Sequence, residues 1–250
     1  LVIDLPTRNY SFNILGSPVA LLFSADTLLI TLVPVLTIAG VDWVLRDHPL
    51  VRRGDVSYLF PFWMAPGLGA LALCLVLTRI TVWPLWIAAL LAGVAVIGIL
   101  LYAEYGALSI DEAGYANSRL IVTALTYVIA YVLFAAIYSQ RERTVVSATQ
   151  TVLITFLLSL ELLAPHTIGL RKALLYSAVI AFLIGQATWA LNYWNISIWS
   201  AGVLLLAFFY VGIGLSQQYH QGQLARGVLV EYGAVSLIAL VVVWLLAANR

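Results

Sequence analysis

The chain has 250 residues, 63% of them hydrophobic and only 9% charged, with a net charge of +1 at pH 7. A soluble domain carries roughly a quarter charged residues to solvate its surface, so a water-soluble enzyme, a nucleic-acid binder and a disordered linker are all excluded. An outer-membrane barrel is excluded too, because its lumen-facing positions would be polar at every second residue. The class that fits is all-α: a polytopic transmembrane helical bundle forming a single domain over residues 1–250, with no extramembrane domain.

A bilayer core about 30 Å thick needs about 20 apolar residues of helix. Eight segments meet that length, over approximately 19–45, 58–78, 82–103, 119–139, 145–163, 172–192, 197–216 and 229–247. The opening residues lack the basic-then-apolar order of a signal peptide, and with Leu1 in first place further N-terminal sequence is expected to precede it. The first span is too long for one straight crossing. Pro34 inside it predicts a kink or tilt, with residues 11–22 lying at the interface. Asp26, with Thr27 and Thr31 one turn away, is the candidate proton or cation carrier. Its alternative role is to cap a shorter helix beginning near Ala25. Pro61, Pro66 and Pro84 open the second and third spans, where a missing N–H is tolerated.

The fourth span carries an aromatic stripe, Tyr127, Tyr131, Phe134 and Tyr138, which reads as packing or lipid-facing girdle, or else as a pigment or quinone surface. Small hydroxyl residues recur every four positions in the fifth: Ser147, Thr151, Thr155 and Ser159. The sixth repeats the device with Ser177, Ala181 and Gly185. Lipid tails are as apolar as Leu, so helices associate through close packing and interhelical hydrogen bonds. These two stripes are expected to face each other, and a polar transport path is the functional alternative.

Let X be the side holding the first residues and Y the other. Arg46, Arg52, Arg53, Arg119, Arg171, Lys172 and Arg226 fall on Y, whereas Arg8, Arg79, Arg141, Arg143 and Arg250 fall on X. Seven against five is too small a bias for the positive-inside rule to orient the chain. Trp83, Trp86, Trp189, Trp194, Trp199 and Trp244 fall toward X as an interfacial belt.

Side Y also gathers Glu161, His166, Glu231, His48 and His220, a polar cluster that would suit a metal or quinone head group. No pair among them has the tight spacing of a ligand motif. Histidines at the midplane, as haem ligation needs, are lacking, and Cys74 is the single cysteine, so no metal site and no disulfide is expected. Motifs for zinc hydrolases, serine nucleophiles or phosphate loops are missing as well, so no catalytic residue is assigned. The hexapeptides Glu104-Tyr-Gly-Ala-Leu-Ser109 and Glu231-Tyr-Gly-Ala-Val-Ser236 echo each other. One ends a span and the other opens one, so the echo marks no internal duplication.

Thr188-Trp-Ala-Leu-Asn-Tyr-Trp194, Gly214-Leu-Ser-Gln-Gln218 and Val230-Glu-Tyr-Gly233 carry a resemblance. From Ala116 onward the chain resembles an uncharacterised family of eight-span bacterial membrane proteins of Chloroflexota type, with no known activity. The resemblance implies a multi-pass protein of the bacterial inner (cytoplasmic) membrane. The expected function is a non-catalytic structural or accessory subunit of a larger photosynthetic or respiratory complex. Its expected partners are membrane lipids and other membrane subunits rather than nucleic acid; contact with lipid or pigment is open and no cofactor is named. Two alternatives stand beside it: a small proton- or cation-coupled transporter using Asp26 and the Ser147–Ser159 stripe, and a membrane-embedded lipid-modifying enzyme working at the Y face.

Overall fold

The computed structural model describes residues 8–14, 17–23, 25–54, 58–109, 114–140, 144–164, 169–194, 196–220, 222 and 226–248. It opens with two antiparallel strands, β1 (Arg8–Ile14) and β2 (Ser17–Phe23), paired from Arg8 opposite Phe23 to Ile14 opposite Ser17. This corrects the first span, which begins at residue 25 and not at 19. The physical reason is visible in β1, where Asn9, Ser11 and Asn13 alternate with Tyr10, Phe12 and Ile14. A period of two suits a strand and defeats a helix.

Helix α1 (Ala25–Arg46) then runs unbroken through Pro34. Proline has no N–H, so the Ile30 carbonyl four residues earlier has no partner in the helical ladder at that turn. A four-residue turn, α2 (Pro49–Arg52), follows, capped at its start by His48 and closed after Arg53 by Gly54 at φ 80°. That left-handed backbone favours glycine. A 3₁₀ turn over Phe60–Trp63 leads into α3 (Met64–Leu77). Six long helices complete the chain: α4 (Trp83–Gly106), α5 (Tyr115–Ser139), α6 (Thr144–Leu163), α7 (Leu170–Asn192), α8 (Ile198–His220) and α9 (Arg226–Ala248).

Seven of the described helices are long and apolar enough to cross a membrane, with α3 counted together with its 3₁₀ turn. The chain is a multi-pass membrane protein, and α9 adds a further helix of 23 residues. Its outer surface is built for lipid: Leu36 is 67% exposed, Leu91 65% and Phe182 61%. Such side chains would be unfavourable in water and are at home among acyl chains. Trp83 and Trp86 stack at the start of α4, their ring centroids 5.6 Å apart. Exposed Trp189, Trp194 and Trp199 sit at the α7–α8 connection on the same side, consistent with an interfacial belt.

The centre of the bundle is apolar. Phe134 of α5 meets Phe209 of α8 edge-on, surrounded by Leu133, Leu158, Leu204 and Leu205. Helix α6 packs most closely against α7. There a Cβ on Gly185 would come within 2.4 Å of Val152 Cγ2, so glycine is what allows the close approach. Ser147, Thr151, Thr155 and Ser159 of α6, with Ser177 and Ala181 of α7, are all buried. A second, smaller apolar cluster of Val41, Leu45, Phe62 and Leu108, flanked by Trp63 and Tyr105, joins the Y ends of α1, the 3₁₀ turn and α4.

Candidate functional site

Three charged side chains meet at the Y end of the bundle, each one turn inside a helix terminus. Glu104 lies in the last turn of α4, Glu161 in the last turn of α6 and Arg119 in the first turns of α5. Both glutamates are 0% exposed. The Arg119 Nη1 stands 4.0 Å from Glu161 Oε1, a charge pairing rather than a hydrogen bond. Its Nη2 donates to the Leu162 carbonyl at 3.1 Å and, more weakly, to the Glu161 carbonyl at 3.4 Å. Those carbonyls are among the last four of α6, which have no partner within the helix. The guanidinium therefore does two things at once, closing the α6 terminus and facing a carboxylate.

The two glutamates also act on each other, and the Ala65 backbone at the start of α3 is directed toward Glu161. Even so, among the described residues none of the four carboxylate oxygens, nor Arg119 Nη1, makes a hydrogen bond of good geometry. Buried polar groups are normally paired, so this cluster is set up to accept something more. Its charge says what. Two carboxylates and one guanidinium sum to one excess negative charge, and burying an uncompensated charge is far more costly than burying a paired one. One proton or one monovalent cation makes the site neutral.

Neighbouring residues fix the geometry. At Gly106 a Cβ would lie 2.5 Å from Ser118 Oγ, so the end of α4 passes close against the start of α5 and brings Glu104 to Arg119. On α8, Gln217 Nε2 donates to the Leu162 carbonyl at 3.4 Å. Beside the pair, His48 is 4% exposed and its Nδ1 accepts the Leu50 N–H at 3.3 Å. With Nδ1 an acceptor, the neutral ring carries its hydrogen on Nε2, which faces Ser109 Oγ at 3.3 Å. Tyr105 meets the same ring edge-on at 4.5 Å. His48 thus ties α2 to the end of α4, one residue from Glu104, and the small apolar cluster lids this end.

The residues singled out on side Y are placed differently from one another. Glu161 and His48 are buried at or beside the cluster, Glu231 is exposed on α9, His220 ends α8 half-buried, and His166 lies outside the described residues. Asp26 lies exposed in the first turn of α1. Among the described residues no three His, Cys, Asp or Glu side chains converge as a metal site would need. The sequence puts Glu104 and Arg119 on side Y with the other polar groups but does not single them out as partners of Glu161, because the three come from separate helices. The echoed hexapeptide was the available signal: its first copy supplies Glu104, Gly106 and Ser109 to the site, whereas Glu231 and Gly233 of the second are exposed.

A family model described as protein of unknown function (DUF5656) matches residues 5–246, and the chain belongs to that family. No curated protein and no solved structure matches it.

Proposed function

We propose that this DUF5656 member is a small proton-coupled transporter of the bacterial cytoplasmic membrane, with eight spans and with Glu104, Glu161 and Arg119 as its coupling site. One observation carries the reading: two fully buried carboxyl groups face each other and a single guanidinium in an apolar bundle, and among the described residues none of their oxygens makes a hydrogen bond of good geometry. Ionisable groups inside a membrane protein are expensive to place and mark ion or proton pathways. Two facing carboxyls that hold one proton between them are neutral with Arg119, and losing that proton creates a charge the bundle disfavours. Proton occupancy is thereby tied to conformation, which is what coupling needs. The likeness of residues from Ala116 onward to eight-span Chloroflexota-type proteins supports the bacterial setting. Asp26, exposed at a helix start, is not part of this site.

The test is difference infrared spectroscopy of the purified protein across a pH titration. We expect the carbonyl stretch of a protonated carboxylic acid in the wild type and its loss in Glu104→Gln and Glu161→Gln. In liposomes enclosing a pH-sensitive dye, the wild type should pass protons down an imposed gradient and Glu161→Gln should not. A titration that shows no band sensitive to either glutamate overturns the reading.

The flanks of α1 and α4 favour a second reading, as a structural subunit of a larger complex. Helix α4 buries only Leu100, Ala103 and Glu104, all near its Y end, and leaves Leu85, Leu91, Val94 and Ile99 exposed. Extraction in mild detergent and a native gel would show co-migration with other subunits if those flanks are covered by protein. Migration of the chain by itself or as a homo-oligomer would remove this second reading.

A further inference from the structure

The fold accounts for two members of the aromatic stripe on α5. Phe134 packs against Phe209 in the core, and the Tyr138 hydroxyl donates to the Leu191 and Trp194 carbonyls, each at 3.2 Å. Tyr127 belongs to something else, a row of rings that crosses three helices. Its ring lies 5.7 Å from that of Tyr210 on α8, which in turn lies 5.6 Å from that of Tyr232 on α9. Among the described residues none of the three hydroxyls makes a hydrogen bond. Tyr210 is 37% exposed and Tyr127 and Tyr232 are half-buried, and their hydroxyls are not among the enclosed polar atoms of the bundle. The row therefore opens on the outer, lipid-facing surface.

The surface there is concave. Among the described residues α5 and α9 both pack on α8 rather than on each other, which leaves a furrow along α8. Helical spacing puts Val203, Ala207, Tyr210 and Gly214 on one face as its floor. Tyr232 fills the Gly214 end, its ring lying against the glycine. On the other side of Tyr210 the floor drops to the small side chain of Ala207. The wall on α5 is Tyr127 and Tyr131, the latter ring 3.1 Å from where a Cβ would stand on Gly202.

Depth decides what can lie in it. Tyr127 and Tyr210 stand at the middle of their helices, so the row is near the centre of the bilayer. Tyrosine ordinarily gathers at the membrane interface, and a polar group without a partner in hydrocarbon is costly. Phospholipid ester carbonyls lie at the edges of a core about 30 Å thick and do not reach the row. A partner must dissolve in hydrocarbon, carry acceptor oxygens for the phenols and offer a flat face to the rings. A quinone meets all three needs, through its isoprenoid tail, its ring carbonyls and its planar ring.

We infer that the furrow between α5 and α9 binds a membrane quinone, whose ring lies over Ala207 beside Tyr210 and whose carbonyl oxygens accept hydrogen bonds from the row of phenols. This inference does not rest on the proton-coupling reading.

The probe is menaquinone-4 labelled with carbon-13 at its ring carbonyls, titrated into the purified full chain in phosphatidylcholine nanodiscs. Infrared difference spectra should show a saturable carbonyl band, lowered in frequency by hydrogen bonding. Tyr210→Phe keeps the ring and removes only the hydroxyl, and it should weaken binding about fivefold, the weight of one hydrogen bond. Replacing Tyr127, Tyr210 and Tyr232 together by Phe should abolish the lowered band. Ala207→Phe fills the furrow and should block binding outright, whereas Tyr193→Phe, at a ring 78% exposed at the end of α7, should bind as the wild type does. Uptake no greater than into empty nanodiscs, or a carbonyl band at its unbonded frequency, overturns the site. Equal affinity of the Phe variants and the wild type overturns it too, since the rings would then take any flat apolar molecule. Failed uptake by chains that native mass spectrometry finds as dimers would give the furrow to a second copy instead.

Discussion

Arg119 is the residue whose removal the site tolerates least. It is the cation facing both carboxyls, and Arg119→Leu leaves them without one while freeing the terminal carbonyls of α6. Removing one partner of a buried ion pair costs about 3–5 kcal/mol, and that loss is expected in detergent unfolding of Arg119→Leu. Glu104→Gln acts oppositely, because Glu161 and Arg119 then neutralise each other. Its unfolding free energy should equal or exceed that of the wild type while proton flux is lost, a split that a merely structural role for Glu104 does not produce. If Glu104→Gln destabilises the protein as much as Arg119→Leu, the excess-charge argument fails. Little of this trio is legible along the chain. Glu161 and His48 stand out as polar groups near helix ends, but Arg119 and Glu161 are 42 positions apart. Only the packing of α4, α5 and α6 brings three charges from separate helix ends into one buried site.

At the scale of elements, apolar stretches of membrane-spanning length mark out the long helices, because in lipid a backbone must satisfy itself and the helix does so within one segment. The first span is the exception. Residues 17–23 are as apolar as a helix end, and only the strand before them, with its polar–apolar alternation, shows that they pair in β2. Between helices, the small residues carry the information. Gly185 lets α7 approach Val152 and Ala148, and Gly185→Leu must push the two helices apart along their closest contact. Overpacking of this kind costs about 1–3 kcal/mol, to be read as a lower midpoint of unfolding in a denaturing detergent. Leu183→Ala, on the lipid-facing side of the same helix with 60% exposure, should change that midpoint little. Equal midpoints for Gly185→Leu and the wild type would remove the packing claim.

For the whole molecule the open quantity is how the bundle sits in the membrane. Counted as loop charges, the basic residues favour side Y by seven to five. Arg119, however, turns inward to Glu161 and the α6 carbonyls, which narrows that bias to six against five. The positive-inside rule works on charges left at the membrane surface, so it gives this chain almost no preference. The number of crossings is the firmer matter to test, and it turns on α9. Its 23 residues are long enough to span, and it packs against α8 through Tyr232, whose ring lies against Tyr210 at 5.6 Å and beside Gly214. A helix running antiparallel to α8 from side Y must carry residue 250 back to side X. Reporters active on one side of the membrane only, joined after Arg250 and inserted separately in the connection at 221–225, should therefore give opposite signals. A reporter in the connection at 141–143 should match the one after Arg250. If the reporters at 221–225 and 250 agree, α9 lies along the Y surface, the protein has seven spans, and the X–Y bookkeeping of the last tryptophan in the belt, Trp244, falls with it.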